Sequence, residues 1–128
     1  MGYQINEPIE KLVGALSQFF SFKESTSVGD ILLILSETRP ETTLAEYALV
    51  REFVRDETKR DPWWHVHMTR LNFPASPAIV TLQESHFTGQ EIFTINKLKV
   101  FIKALDFAEK PAPDSAPEPP KPNFTLVR

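Results

Sequence analysis

Two histidines stand two positions apart in the segment DPWWHVHMTR, at His65 and His67. Side chains two apart on a β-strand point to the same face, so both imidazoles could bind one metal ion, with His86 as a third ligand to zinc. No aspartate or glutamate follows the pair closely enough to act as a further ligand or base. A zinc site needs its full set of ligands, so we interpret the pair as part of a half-exposed sheet face and keep a histidine metal site as the third alternative.

The same segment alternates between apolar and polar side chains, which predicts a strand over residues 63–70. The apolar face holds Trp64, Val66 and Met68, and the opposite face holds Trp63, His65, His67 and Thr69. Pairing with a strand over 78–84 predicts that His65 lies opposite Gln83 and His67 opposite Thr81. Exposed aromatic side chains on a sheet face are typical of a contact surface. We therefore predict that Trp63, His65 and His67 bind a protein partner.

Arg51, Arg55 and Lys59 are spaced by four residues, as on one face of a helix. Three helices followed by a β-hairpin is the element order of some winged helix-turn-helix proteins, in which residues 43–54 would form the recognition helix. The predicted wing, residues 71–96, contains no lysine or arginine, although phosphate contacts supply most of the affinity for DNA. DNA binding through Arg51, Arg55 and Lys59 is therefore the disfavoured alternative.

The composition sets limits on the class of protein. The 128 residues include 41% hydrophobic side chains, enough for the core of one domain, and the net charge of −3 provides no global attraction for nucleic acid. The absence of cysteine excludes disulfides and thiolate chemistry. The sequence has neither a signal-peptide pattern nor an apolar run long enough to span a membrane, so we expect a cytoplasmic protein without a membrane partner.

Helical patterns dominate the first half of the chain. An apolar stripe at helical spacing predicts a first helix over 7–20, with Asn6 as its cap. Its members are Ile9, Leu12, Val13, Leu16, Phe19 and Phe20. Ser27 and Asp30 stand at capping-box spacing before the apolar run of residues 31–35, which favours a second, buried helix over a central strand. Thr43 and Glu46 repeat that spacing and predict a third helix that ends near Arg60.

Strand patterns follow from Pro62 onwards. After the strands at 63–70 and 78–84, the segment EIFTI predicts a third strand, and Asn96 and Lys97 a tight turn. Residues 98–107 fit a strand or a helix, and we favour the strand. These elements predict an α+β fold in which two or three N-terminal helices pack on a C-terminal antiparallel β-meander of three to four strands, within a single domain at residues 1–109.

The segment KPAPDSAPEPPKP, residues 110–122, contains six of the eleven prolines and predicts a flexible linker. The apolar hexamer NFTLVR follows it, and we predict that Phe124, Leu126 and Val127 also bind a partner by adding a strand to a sheet edge.

No motif for a nucleophile, a nucleotide or a cofactor occurs in the sequence. We therefore predict a non-enzymatic protein-interaction or regulatory protein without catalytic residues or cofactors, which binds a protein partner through its aromatic and histidine sheet face, its tail, or both. Self-association along an exposed strand is part of this prediction.

Overall fold

The computed structural model describes residues 3–107, about half of which form one curled antiparallel sheet. Its seven strands are β1 (Tyr3–Ile5), β2 (Ile31–Arg39), β3 (Thr42–Arg55), β4 (Trp64–Arg70), β5 (Ser76–Leu82), β6 (Phe93–Ile95) and β7 (Leu98–Ala104). The helices are α1 (Ile9–Ala15), which continues into a 3-10 turn at Leu16–Gln18, and α2 (Glu84–Phe87). The strand order is β5-β4-β3-β2-β7-β6, and β1 pairs with β3 beyond the end of β4.

The prediction of an α+β fold with helices packed on a three- to four-stranded meander is wrong, because the second and third predicted helices are the central strands β2 and β3. Strand β2 is apolar on both faces because it is covered on both: Leu32 belongs to one core cluster and Leu33 to the other. Asp30 caps no helix. Its carboxylate accepts a hydrogen bond from the backbone N–H of Ser27 at 2.7 Å and pairs with Lys23.

Strand β3 has helix-like spacing because of a β-bulge. Val50 lies opposite Met68 and Phe53 lies opposite Val66, so two residues three positions apart share one face. The register shifts between Val50 and Glu52, which adds the extra residue. Tyr47 belongs to the other face, where it lies opposite Leu33. The helix-like spacing of these apolar residues therefore arises from side chains that are divided between the two faces of a strand.

Two apolar cores lie on the two faces of the sheet. The larger one fills the concave face, where Phe87 of α2 packs with side chains from β2 to β7. The smaller one lies on the convex face, where Ile9 and Leu16 pack against Leu33, Leu35 and Phe101. Helix α1 thus covers the convex side of β2 and β7, and the curl of the sheet encloses the concave core.

Several local predictions are confirmed. Strand β4 begins one residue later than the predicted strand at 63–70, β5 and β6 lie near their predicted positions, and residues 98–107 form a strand over most of their length. Asn96 and Lys97 form the tight turn, with φ of 53° and 69°. The first helix is shorter than predicted: α1 begins after Pro8 without a side-chain cap from Asn6, and Phe19 is 75% exposed.

The predicted linker at 110–122 and the residues Phe124, Leu126 and Val127 lie outside the described residues. No helix within residues 3–107 is long and apolar enough to cross a membrane.

Candidate functional site

The convex side of β4, β5 and the carboxyl half of β3 forms a continuous surface beyond the reach of α1, which packs on β2 and β7. We call this surface the open face. Its side chains are exposed or half-buried: Leu49, Arg51, Glu52, Val54, His65, His67, Thr69, Pro77, Ile79 and Thr81. Arg51 and Glu52 are the only arginine, lysine, aspartate or glutamate side chains among these ten residues. The open face is therefore a weakly charged, partly apolar sheet surface.

His65 and His67 lie on the open face, as predicted, but their partners differ from the prediction. His65 lies opposite Thr81 and His67 opposite Ile79, rather than opposite Gln83 and Thr81. The register shifts by two residues because β5 begins at Ser76, earlier than its apolar run indicates. A shift by an even number of residues keeps every side chain on its face. The error in register therefore changes the cross-strand partners of His65 and His67 but not the face on which they lie.

The ring of His65 is held at both nitrogens. Its Nδ1 lies 2.9 Å from Oγ1 of Thr81, and its Nε2 lies 3.4 Å from Oδ2 of Asp56. An ionised carboxylate only accepts hydrogen bonds, so Nε2 carries the proton toward Asp56, and the hydroxyl of Thr81 donates to Nδ1 when the ring is neutral. Asp56 itself is buried at the end of β3, where Oδ1 accepts hydrogen bonds from the hydroxyl of Thr58 at 2.6 Å and from its backbone N–H at 2.9 Å.

These hydrogen bonds set the charge of Asp56. The hydroxyl and the backbone N–H of Thr58 lower the pKa of Asp56, and the nearby His65 and Lys59 lower it further, against the opposing effect of burial. A hydroxyl, an imidazole and a carboxylate in line can activate a nucleophile. Thr81, however, is exposed on a strand rather than placed at the base of a cleft. We therefore interpret the contacts of Asp56 and Thr81 as fixing the ring of His65 on the surface.

Trp63 does not join the two histidines, contrary to the prediction. It precedes β4, and its ring lies edge-on to His86 at a centroid distance of 5.8 Å, with Nζ of Lys59 at 5.8 Å from the ring. His86 stacks on Phe93 at 4.3 Å, and its Nδ1 accepts a hydrogen bond from the backbone N–H of Gln83. In the part of the chain that the structure describes, no three histidine, cysteine, aspartate or glutamate side chains are grouped so that they could hold a metal ion.

Arg51, Arg55 and Lys59 do not share one face, contrary to the prediction. Arg51 lies on the open face, where Nη1 donates to Oγ1 of Thr69 at 3.3 Å, whereas the guanidinium of Arg55 lies over the ring of Trp64. Lys59 belongs to the turn after β3. Since residues 42–55 form a strand, the winged-helix arrangement with a recognition helix at 43–54 is wrong.

Ile79 is a surface residue of the open face that was not among the predicted site residues. Val80 and Leu82 belong to the concave core, and the alternation of the strand places Ile79 on the opposite face, where it is 60% exposed. An isoleucine out of phase with the buried residues of its strand was the available signal.

No protein-family model matches this chain, and comparisons with curated proteins and with solved structures find no significant match.

Proposed function

We propose that this protein is a non-enzymatic protein-interaction protein, and that its open face packs against the open face of a second copy. The observation that carries the proposal is Ile79. Its side chain is 60% exposed, whereas Val80 and Leu82 of the same strand pack in the concave core. Ile79 lies opposite His67, on a face without charged residues on β4 or β5. Burial of apolar surface of this kind is the main driving force for association.

The shape and composition of the open face suit a second sheet. Two sheets that pack face to face lie about 10 Å apart with interdigitating side chains, and such packing requires surfaces of modest side chains without unpaired charges. Val54, Thr69, Ile79 and Thr81 meet this description. The surface therefore supports packing against another sheet more readily than the insertion of a long charged segment.

The two charges of the open face support a second copy as the occupant. Arg51 and Glu52 are adjacent in the bulge of β3, and Glu52 lies opposite His67. A twofold axis brings the same surface of both copies together, so a face with one positive and one negative group can place each opposite its counterion. A face of a single sign would repel itself. The nearly neutral open face is thus self-complementary in charge.

The proposal is tested by sedimentation velocity of the full chain over a hundredfold range of concentration. We expect a reversible dimer, and we expect Ile79→Lys to raise its dissociation constant at least about tenfold, because two lysines would be buried per dimer. Leu98→Lys is the control, since Leu98 is also an exposed apolar residue but lies on β7, away from the open face. A chain that stays monomeric throughout, or a loss of association that is as large in Leu98→Lys, contradicts the proposal.

A further inference from the structure

The concave side of the sheet contains an apolar cleft at the place where its two edges approach each other. Strands β5 and β6 stand at opposite ends of the strand order, yet Ala78 and Val80 of β5 and Ile95 of β6 line one cavity of about 200 Å³. The remaining apolar walls are Ile34, Met68, Val100 and Ile102. Every one of these side chains comes from a strand, so the walls are set by the backbone of the sheet.

One end of the cleft is polar. Nε and Nη2 of Arg70 donate hydrogen bonds to Oε1 of Glu46 at 3.1 and 2.7 Å, and Ser36 lies in the same lining. Glu46 is largely buried, with 13% of its side chain exposed, whereas Arg70 is 43% exposed. Arg70 also lines a wider recess with Gln4, Asn72 and Ser76. The cleft is therefore apolar in its interior and polar where it meets that recess.

The ion pair retains capacity for further hydrogen bonds. Both hydrogen bonds from Arg70 end on Oε1 of Glu46. Within the described residues, Nη1 of Arg70 and Oε2 of Glu46 have no hydrogen-bond partner. A partly buried ion pair contributes little net stability, so its main consequence here is the polarity of the cleft. The lining carries one positive and one negative group, and its net charge is zero.

We propose that this cleft binds an uncharged amphipathic small molecule, with an apolar body among Met68, Val80 and Ile102 and one hydrogen-bonding end at Arg70 and Glu46. Ligand sites are mostly apolar concave surfaces with a few polar groups that orient the ligand, as in this cleft. If each heavy atom of the ligand occupies about 30 Å³, the volume of a water molecule in the liquid, the cavity has room for an apolar group on the order of seven heavy atoms. The neutral ion pair selects an alcohol, amide or carbonyl end over a charged one, since a charged end would meet both a like and an opposite charge.

The proposal is tested with 1-octanol, octanoate and octylamine as probes of equal chain length and different charge. Each is titrated into the ¹⁵N-labelled full chain, and the amide resonances are followed by NMR. We expect 1-octanol to shift the resonances of β4, β5 and β7 around the cleft, and to bind about tenfold more tightly than either charged probe. Glu46→Gln leaves Arg70 as the only charge in the lining and reverses this order in favour of octanoate.

A second variant tests the position of the ligand. Ala78→Leu fills the cleft and abolishes the shifts, whereas Val28→Ala, in an exposed loop, retains them. The wild-type spectrum without ligand shows whether Ala78→Leu is still folded.

Three results would overturn the proposal. One is the absence of shifts with 1-octanol. Another is a response confined to Leu12 and Phe20, which line a separate apolar cavity of about 280 Å³ beneath α1. The third is a change of the cleft resonances when residues 123–128 are deleted in the absence of any probe, because the occupant would then be the chain's own segment.

Discussion

His65 and Thr81 face each other directly across β4 and β5, with Nδ1 of the imidazole 2.9 Å from Oγ1 of the threonine. The other ring nitrogen lies 3.4 Å from a carboxylate oxygen of Asp56, at the end of β3. One imidazole therefore links three successive strands of the open face. A surface whose side chains are already held in place loses less conformational entropy on association than one that must become ordered.

The charge of Asp56 makes the stability of the fold depend on pH. Hydrogen bonds from Thr58 lower the pKa of Asp56 in the folded state, so its ionised form stabilises the fold above the unfolded pKa of about 4. That contribution is lost as the pH falls through the lower folded pKa. We expect Asp56→Asn to be less stable than the wild type at pH 7, and the difference to shrink as the pH is lowered toward 3.

Urea unfolding at pH 7, 5 and 3 measures this effect, with Asp61→Asn as the control because Asp61 is an exposed aspartate of the same connection between β3 and β4. A difference between Asp56→Asn and the wild type that stays constant from pH 7 to pH 3 would show that the carboxylate of Asp56 does not stabilise the fold through its charge.

We expect the free energy of unfolding to fall most when large side chains of the concave core are replaced by alanine. Leu32 is fully buried at the centre of the sheet, between β3 and β7. We expect Leu32→Ala to lower the free energy of unfolding by about 2–5 kcal/mol, because it removes apolar contacts and leaves a cavity. Val28→Ala, at an exposed loop position, should change it by less than about 0.5 kcal/mol. Equilibrium urea unfolding compares the two, and similar small losses in both would contradict this description of the core.

The turn between β6 and β7 offers a stabilising substitution. Asn96 and Lys97 both have positive φ, as in a type I′ turn, where asparagine followed by glycine is the preferred pair. We expect Lys97→Gly to raise the free energy of unfolding by about 0.5 kcal/mol, because glycine adopts this conformation without a steric penalty. Lys97→Ala should give no such gain. Thermal unfolding measures both, and a lower melting temperature in Lys97→Gly would argue against this turn.

The sequence predicts the second half of the fold better than the first. In β4 and β5, period-two alternation indicates strands, because each of these two strands has one face on the core and one toward solvent. The Asn-Lys turn then marks the start of β7. Strand β2 carries no such alternation because Leu32 and Leu33 are both buried, on opposite faces. A short strand buried on both sides and a buried helix have the same apolar pattern. The capping-box spacing of Ser27 and Asp30 favoured the helix, and that prediction is wrong.

The face on which the histidines lie could be predicted from the sequence, but their contacts could not. The spacing of His65 and His67 is sufficient to place both on one face, since it does not depend on register. The contact with Asp56 depends on the connection between β3 and β4, and the pairing with Thr81 depends on the start of β5. Both contacts of His65 depend on how the strands of the sheet are arranged, so no local sequence pattern predicts them. The concave cleft likewise arises from the curl that brings β5 and β6 together.

Isotope-filtered NMR tests, without any substitution, whether the open face packs against the open face of a second copy. A sample is prepared from equal amounts of ¹³C-labelled and unlabelled full chain, and nuclear Overhauser effects between the two copies are recorded. We expect intermolecular contacts from the methyl groups of Ile79 and Val54 to protons of the open face of the other copy. Intermolecular contacts that arise instead from Leu98 or Phe107, or none at a concentration where the chain sediments as a dimer, would contradict it.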